Sequence, residues 1–248
     1  MFSFLRKSKN PEQLFWHTDM HCHVVPGVDD GSPDVETSIE LLERMASWGL
    51  TRIIATPHMT QDTFENTPDI LDPALHELQM AAQKTLPSLD ISRSCEHRVD
   101  DFFISQLEKG LILPFPGNYI LVENSFAQEP WNIESILFDL KIKGYKPIMA
   151  HPERFLYYHR NRERYRHLHD AGNLFQINIL SLSGHYGSST KKVAEWMLSE
   201  GMVDFIGTDL HKHSHADAIE AYLCSRDYRR LRDSGIELMN DTAFPVDY

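Results

Sequence analysis

Seven short runs of β-branched and apolar residues alternate with longer segments of helical period, and this alternation limits the fold more than any other feature of the chain. The runs are Trp16–His23, Thr51–Pro57, Asp90–Glu96, Tyr119–Glu123, Pro147–His151, Leu174–Ile179 and Val203–Asp209. Helical patterns cover Pro33–Trp48, Pro73–Leu86, Asp100–Lys109, Ile133–Lys143, Arg162–Ala171, Thr190–Glu200 and Ala216–Asp233. The first is opened by Ser32 as N-cap with Pro33 at the first helical position, and glycines such as Gly110, Gly172 and Gly201 follow the ends of others. Repeated strand–helix units imply an α/β fold with one parallel sheet covered by helices. At 248 residues the sheet is expected to close, or nearly close, into a barrel, with residues 1–248 forming one domain and residues 1–14 a short N-terminal extension.

Charge and composition remove several kinds of function. Twenty-four Lys and Arg against 36 Asp and Glu leave a net charge of −12, so no nucleic-acid partner is expected, since such binding needs a positive field. No apolar run approaches the roughly 18 residues of a membrane span, and the start MFSFLRKSKN lacks the apolar stretch of a signal peptide. A cytoplasmic protein without stable membrane insertion is the expectation, with the basic start as a solvated or loosely docked tail. Cys22, Cys95 and Cys224 are odd in number and widely spaced, which suggests neither a disulfide framework nor a zinc finger.

The 14 histidines are less ordinary, because of where about half of them fall. Strand one ends in His21-Cys22-His23, strand two runs into His58, strand three ends in Glu96, strand four in Glu123, strand five in His151, and strand seven runs into Asp209-Leu210-His211. In a parallel barrel all these strand ends share one face, where barrel enzymes build their sites. Residues two apart on a strand point the same way, so His21 and His23 can grip one cation while Cys22 faces away; Asp209 and His211 repeat the arrangement. Asp30, in the Gly27–Gly31 loop, adds a carboxylate at the same rim. A lone acid here is commonly a helix cap, and His76, His167 and His169 read as solvated helix residues. Nine ligand-type residues on one rim are another matter, since burying them without an ion is costly. Imidazole with carboxylate suits Mn, Fe or Zn, and the set points to hydrolytic metal chemistry rather than a structural zinc cage.

The ordered motifs D-x-H-x-H (Asp19, His21, His23), V-D-D-G (Val28 to Gly31), T-P-H (Thr56 to His58), V-E (Val122, Glu123), A-H-P-E-R (Ala150 to Arg154) and T-D-x-H (Thr208 to His211) resemble the PHP superfamily. Within it, V-D-D-G, A-H-P-E-R, Q-I-N (Gln176 to Asn178) and S-G-H-Y-G (Ser183 to Gly187) are similar to the bacterial manganese-dependent protein-tyrosine phosphatases of the CpsB/YwqE/CapC type. The resemblance implies a distorted (β/α)7, TIM-like barrel holding up to three divalent ions. It implies one ion on His21, His23, Glu96 and Asp209, a second on Glu96, Glu123 and His151, and a third on Asp30, His58 and His211, with Glu96 shared. Arg154 matches an arginine with a phosphate-binding or leaving-group role. Some relatives carry a further arginine after the last motif; here K-H-S-H-A-D follows, with Lys212 or His213 as substitutes. The implied reaction is hydrolysis of phosphotyrosine, on a bacterial tyrosine kinase of capsule or exopolysaccharide assembly, by a metal-activated water. The alternatives are a phosphatase of a small ester such as histidinol phosphate and a non-catalytic, metal-bound regulatory module. Cys224 and Arg230 have the Cys-x5-Arg spacing of thiol-dependent phosphatases, but the intervening residues lie in a helical pattern without glycine, which leaves no backbone N–H groups to cradle phosphate.

Overall fold

The computed structural model describes residues 11–244. Strands β1 (Thr18–Asp19), β2 (Arg52–Ala55) and β4 (Asp90–Arg93) form one parallel ladder. A second runs through β3 (His58–Met59), β5 (Glu96–Arg98), β6 (Tyr119–Glu123), β7 (Lys146–Ala150), β8 (Leu174–Asn178) and β9 (Phe205–Gly207), also parallel throughout. The two are halves of one sheet, since β3 prolongs β2 beyond Pro57 and β5 prolongs β4 beyond Cys95. Pro57 has no N–H and interrupts the ladder there, but its carbonyl still accepts from Glu96 N at 3.1 Å, and Ala55 O accepts from Ser94 N at 2.8 Å.

The sheet closes on itself. Asp209 N donates to His21 O (2.7 Å) and His23 N to Leu210 O (2.9 Å), so the last strand run lies against the first. Asp19 locks this seam: its buried carboxylate accepts from Thr208 N at 3.0 Å and Thr208 Oγ1 at 2.6 Å. The Thr208 hydroxyl can fall back on His21 O at 3.2 Å, whereas its N–H has no such alternative. Asp19→Ala is therefore expected to cost about 2 kcal/mol, the penalty of one orphaned buried donor, read as a lower urea midpoint at unchanged m-value.

Alternation along the strands sorts the core. Ile53, Ile120, Val122, Met149, Phe175 and Ile177 pack outward under the helices. Ile54, Leu121, Ile148, Ala150 and Phe205 form a separate inner cluster, closed at its lower end by Phe115 and Phe244. Above this apolar plug the inner positions become polar, with Glu123, Gln176 and Asn178 all buried, and that change of layer positions the site.

Several expected boundaries move for identifiable reasons. The first strand is regular only at Thr18–Asp19; at its start the N–H groups of His17 and Thr18 bond the Asp241 carboxylate. Helix α1 (Val35–Ser47) is capped by Asp34, whose Oδ1 accepts from Thr37 N at 2.8 Å; Ser32 instead exchanges a buried hydrogen bond with Ser38. Helix α2 (Pro68–Thr85) starts a turn earlier than expected and accommodates Pro73 within it. After α3 (Asp101–Lys109), α4 (Ile133–Ile142), α5 (Arg162–Asp170), a short α6 (Ile179–Ser183) and α7 (Ser188–Ser199), the long final helix divides into α8 (His213–Leu223) and α9 (Arg226–Arg232). Ser225 causes the division by capping α9, its Oγ accepting from Tyr228 N. Cys224 therefore ends one helix while Arg230 stands exposed on the next, and no phosphate cradle lies between them.

The expected extension is docked where it is described. Leu14 is buried and bonds Trp48 O, Tyr228 donates to Gln13 O at 2.6 Å, and Glu12 pairs with Arg229 and Arg232; residues 1–10 lie outside the described residues. Among the described residues no helix is long and apolar enough to cross a membrane.

Candidate metal centre

The upper rim gathers all nine expected ligand residues. Glu96, at the start of β5, is central: Oε1 lies 2.9 Å from His151 Nε2 and 3.4 Å from His21 Nε2. Its Oε2 lies 3.0 Å from His58 Nδ1 and 3.5 Å from His23 Nε2. Asp209 Oδ1 is 3.5 Å from the Nε2 atoms of both His21 and His23. Glu123 Oε1 is 3.5 Å from His151, and the more exposed Asp30 reaches His58 Nε2 at 3.4 Å and His211 Nε2 at 3.6 Å.

Ligand atoms within 4.8 Å of one another fall into four overlapping groups: His23 with Asp30, His58 and His211; His21 with His23 and Glu96; His21 with His151 and Asp209; and His58 with Glu96 and Glu123. The first contains the implied set of Asp30, His58 and His211 and the second lies within that of His21, His23, Glu96 and Asp209, whereas the other two mix residues of different implied sets. His58 faces Glu96 through one nitrogen and Asp30 through the other, and so joins the two ends of the cluster.

The chemistry of this set fits cations. His21 Nε2, His23 Nε2 and Glu96 Oε2 are buried and have no hydrogen-bond partner among the described residues, although buried polar atoms are ordinarily satisfied. Their rings are nevertheless held from behind. His21 Nδ1 bonds Gln176 Oε1 at 2.8 Å and His23 Nδ1 bonds Asp29 Oδ2 at 2.8 Å, which assigns the proton to Nδ1 and turns each Nε2 lone pair to the centre. Such outer partners are the usual support of metal-ligating histidines.

Local backbone shape serves the same end. His151 (φ 32°) and Asp209 (φ 50°) occupy the left-handed region, which non-glycine residues rarely adopt, at a cost of about 1–3 kcal/mol each. Bonds from His151 N to Gln176 Oε1 and from Asp209 N to His21 O hold them there. Glycine is required at two positions: a Cβ on Gly207 would stand 2.6 Å from that of His21, and one on Gly31 only 2.2 Å from His23 O.

Electrostatics separates the histidines into two kinds. Burial alone lowers the His21 pKa, but Glu96 and Asp209 outweigh it and raise it to about 9; His58, also buried and facing Glu96, rises to about 10. His23 falls to about 4 through burial and the neighbouring His211 and His58, and His151 falls to about 4 through burial and Arg154. Burial pushes Glu123 up to about 7, helped by the adjacent Glu96 charge, whereas the surrounding imidazoles overcome burial and hold Glu96 well below the usual carboxylate range. Without cations the centre thus keeps its buried negative charge by protonating chosen imidazoles.

Arg154 reaches the same cleft, donating from one guanidinium nitrogen to Asp209 Oδ2 at 2.8 Å. The guanidinium carbon lies over the rings of Tyr186 (4.2 Å) and Phe126 (4.8 Å). Lys212 also lines the cleft, whose volume is about 280 Å³, while His213 turns away to Glu40. Of the two candidates for the missing arginine, only Lys212 is in position. A larger, mostly apolar groove of about 590 Å³ between α7 and α9 contains none of the ligand residues.

Sequence reasoning missed several contributors, Gln176 behind His21 among them. Asp29 is the buried member of the Asp29-Asp30 pair and bonds His23, His58 N and Gly31 N, whereas Asp30 alone was the expected rim acid. Arg98 holds Glu123 Oε2 at 2.7 Å, and its signal was the two-residue spacing from Glu96. Asn178 donates to Asp209 Oδ2 at 2.6 Å, and Tyr186 covers Arg154; both belong to motifs noted above without a role.

A closed parallel barrel with a buried histidine–carboxylate cluster at its C-terminal rim defines a metal-binding α/β barrel of the TIM-like kind. A family model described as "Capsular polysaccharide synthesis, CpsB/CapC" matches residues 17–224. The chain belongs to this CpsB/CapC family, as its motifs led one to expect. The tyrosine-protein phosphatase YwqE of Bacillus subtilis (strain 168) is 32% identical over 194 residues, covering 78% of this chain and 76% of that protein. The tyrosine-protein phosphatase CpsB of Streptococcus agalactiae is 28% identical over 229 residues, 90% of this chain and 93% of that one. A crystal structure from work on YwqE from Bacillus subtilis and CpsB from Streptococcus pneumoniae, described as unique metal-dependent tyrosine phosphatases, matches with a TM-score of 0.77 at 29% identity, over 93% of this chain and 100% of that chain.

Proposed function

We propose that this chain is a metal-dependent protein-tyrosine phosphatase that uses no catalytic cysteine, acting in the cytoplasm on a phosphotyrosine protein, a bacterial tyrosine kinase of capsule or exopolysaccharide assembly. The observation that carries this reading is the convergence of unpartnered, buried ligand atoms on one point beside an arginine, in a member of a family whose relatives are named tyrosine phosphatases. The barrel acts as one phosphoesterase unit. His21, His23, Asp30, His58, Glu96, Glu123, His151, Asp209 and His211 would hold up to three divalent ions, Mn²⁺ in preference to Fe or Zn. When bound, such ions polarise phosphoryl oxygens and bring the pKa of water toward neutrality.

The chain's own residues do the rest. Arg154 gives one N–H to Asp209 and keeps the remainder of its planar fork for phosphoryl oxygens, where it orients the group and answers the charge that develops on it. Tyr186 and Phe126 hold that fork in place, and Lys212 adds a positive charge at the mouth. Gln176 and Asp29 keep the ligand nitrogens of His21 and His23 aimed inward, so that little reorganisation accompanies binding.

The test is phosphate release by the metal-stripped protein, with and without added Mn²⁺, from a phosphotyrosine peptide, a phosphoserine peptide and histidinol phosphate, with Cys224→Ser as control. Metal-dependent preference for phosphotyrosine that survives loss of Cys224 is expected. Preference for histidinol phosphate, or inactivity of the Cys224→Ser protein, would overturn the reading. The raised pKa values of His21 and His58 add a second expectation. Both imidazoles must lose a proton to become ligands, so metal binding releases protons at pH 7 and tightens as pH rises toward 9. Calorimetry in buffers of different ionisation enthalpy measures the release; a proton count of zero would contradict it.

A further inference from the structure

Phe126 is a large apolar ring left 42% exposed beside a cleft otherwise lined by charged and polar groups. It stands three residues past Glu123, in the loop between β6 and α4. The ring is fixed from within: it lies near-parallel to that of His151, with centroids 5.7 Å apart, and packs against Phe155 at 5.4 Å. The Arg154 guanidinium lies over it at 4.8 Å. What remains exposed borders the cleft. Tyr186, the other aromatic on Arg154, is the more enclosed of the two and turns its hydroxyl toward Asp209 at 3.4 Å, which leaves Phe126, with the Arg98 guanidinium also above it at 6.0 Å, as the more exposed ring at the cleft.

We propose that Phe126 is the wall against which the aromatic ring of the substrate lies, so that the site selects aryl over alkyl phosphate esters. This deepens the phosphatase reading and rests on it. In an aryl phosphate the ring is separated from phosphorus by a single ester oxygen. A phosphoryl group gripped by Arg154 therefore brings that ring to the place where Phe126 is exposed. Paired rings with centroids about 4.5–7 Å apart attract one another beyond the area they bury. The chain of an alkyl ester offers no face to match, and leaves the same surface wet.

The test uses non-hydrolysable probes that keep one atom between phosphorus and the side group: calorimetric titration of the Mn²⁺-loaded protein with benzylphosphonate, the phenyl compound, and with ethylphosphonate. The wild type is expected to bind the phenyl compound roughly tenfold more tightly. Phe126→Leu, which keeps apolar bulk beside Arg154, should reduce that ratio to within about twofold, and Phe126→Trp should retain it. A wild type without preference, or a ratio unchanged in Phe126→Leu, overturns the proposal. So does an equal loss for both probes, which would make Phe126 only a prop for Arg154. Turnover of a phosphotyrosine peptide by the wild type separates the two readings. Phenyl preference without such turnover keeps the wall and rejects the phosphatase, and turnover with an unaltered ratio in Phe126→Leu does the reverse.

Discussion

Exchange of Glu96 for glutamine is expected to lower kcat by at least about a thousandfold and to reduce bound metal, because loss of even an outer partner of a metal site costs about 10–100-fold and Glu96 is at the middle of this one. Both its oxygens face imidazoles, with His151 and His21 on one and His58 and His23 on the other. Glutamine has nearly the same shape, so the change is chemical rather than a cavity. One end of the amide becomes a donor aimed at nitrogens that need an acceptor or a cation, and the charge that draws ions in is gone. The same substitution should lower the pKa values of His21 and His58, which Glu96 holds up against burial. Activity, metal content and histidine titration by NMR check the three effects together. Turnover within tenfold of wild type at full metal content would remove Glu96 from the reacting centre.

Arg154→Met is expected to separate binding of metal from catalysis, lowering kcat about 10²–10³-fold, the usual loss for one donor that stabilises developing charge, with metal content unchanged. Metal retention follows from the partners of Asp209. When Arg154 is removed, Oδ2 still accepts from Asn178 Nδ2 at 2.6 Å and has the Tyr186 hydroxyl at 3.4 Å, so the carboxylate stays in place. Methionine also preserves apolar contact with Phe126 and Tyr186. Arg154→Lys should recover only part of the loss, since an ammonium cannot serve Asp209 and a phosphoryl group with one planar fork. Equal loss of metal and activity in the methionine variant would mean that Arg154 acts by holding Asp209 rather than by meeting substrate.

The rim histidines and carboxylates were legible because parallel topology converts scattered strand ends into neighbours. His21, His58, Glu96, Glu123, His151 and Asp209 need only be counted from the ends of their strands for the fold to bring them together. Residues whose part depends on side-chain direction were not legible. Asp29 and Asp30 are adjacent and chemically identical, and only loop geometry decides that the first is buried behind His23 while the second stands at the rim. The division between α8 and α9 was hidden because Ser225 is an acceptable interior helix residue until its hydroxyl caps the following turn. Likewise Ser32 and Asp34 both suit an N-cap, and the choice falls to Asp34 because Ser38 claims the serine. The sharing of His58 between Glu96 and Asp30 requires distances that motif order does not contain.

The seam of the barrel sets an order of events for a chain emerging from the ribosome. His21 and His23 are made early, but the strand that supplies Asp209 and His211 is made near the end, and the Asp19–Thr208 lock spans 189 positions. Until that run has been synthesised and seated, His21 and His23 lack one of the two carboxylates they share, and the polar layer above the apolar plug lacks one wall. The full histidine–carboxylate cluster is consequently a property of the finished chain, although its sequence contributions begin within the first two dozen residues.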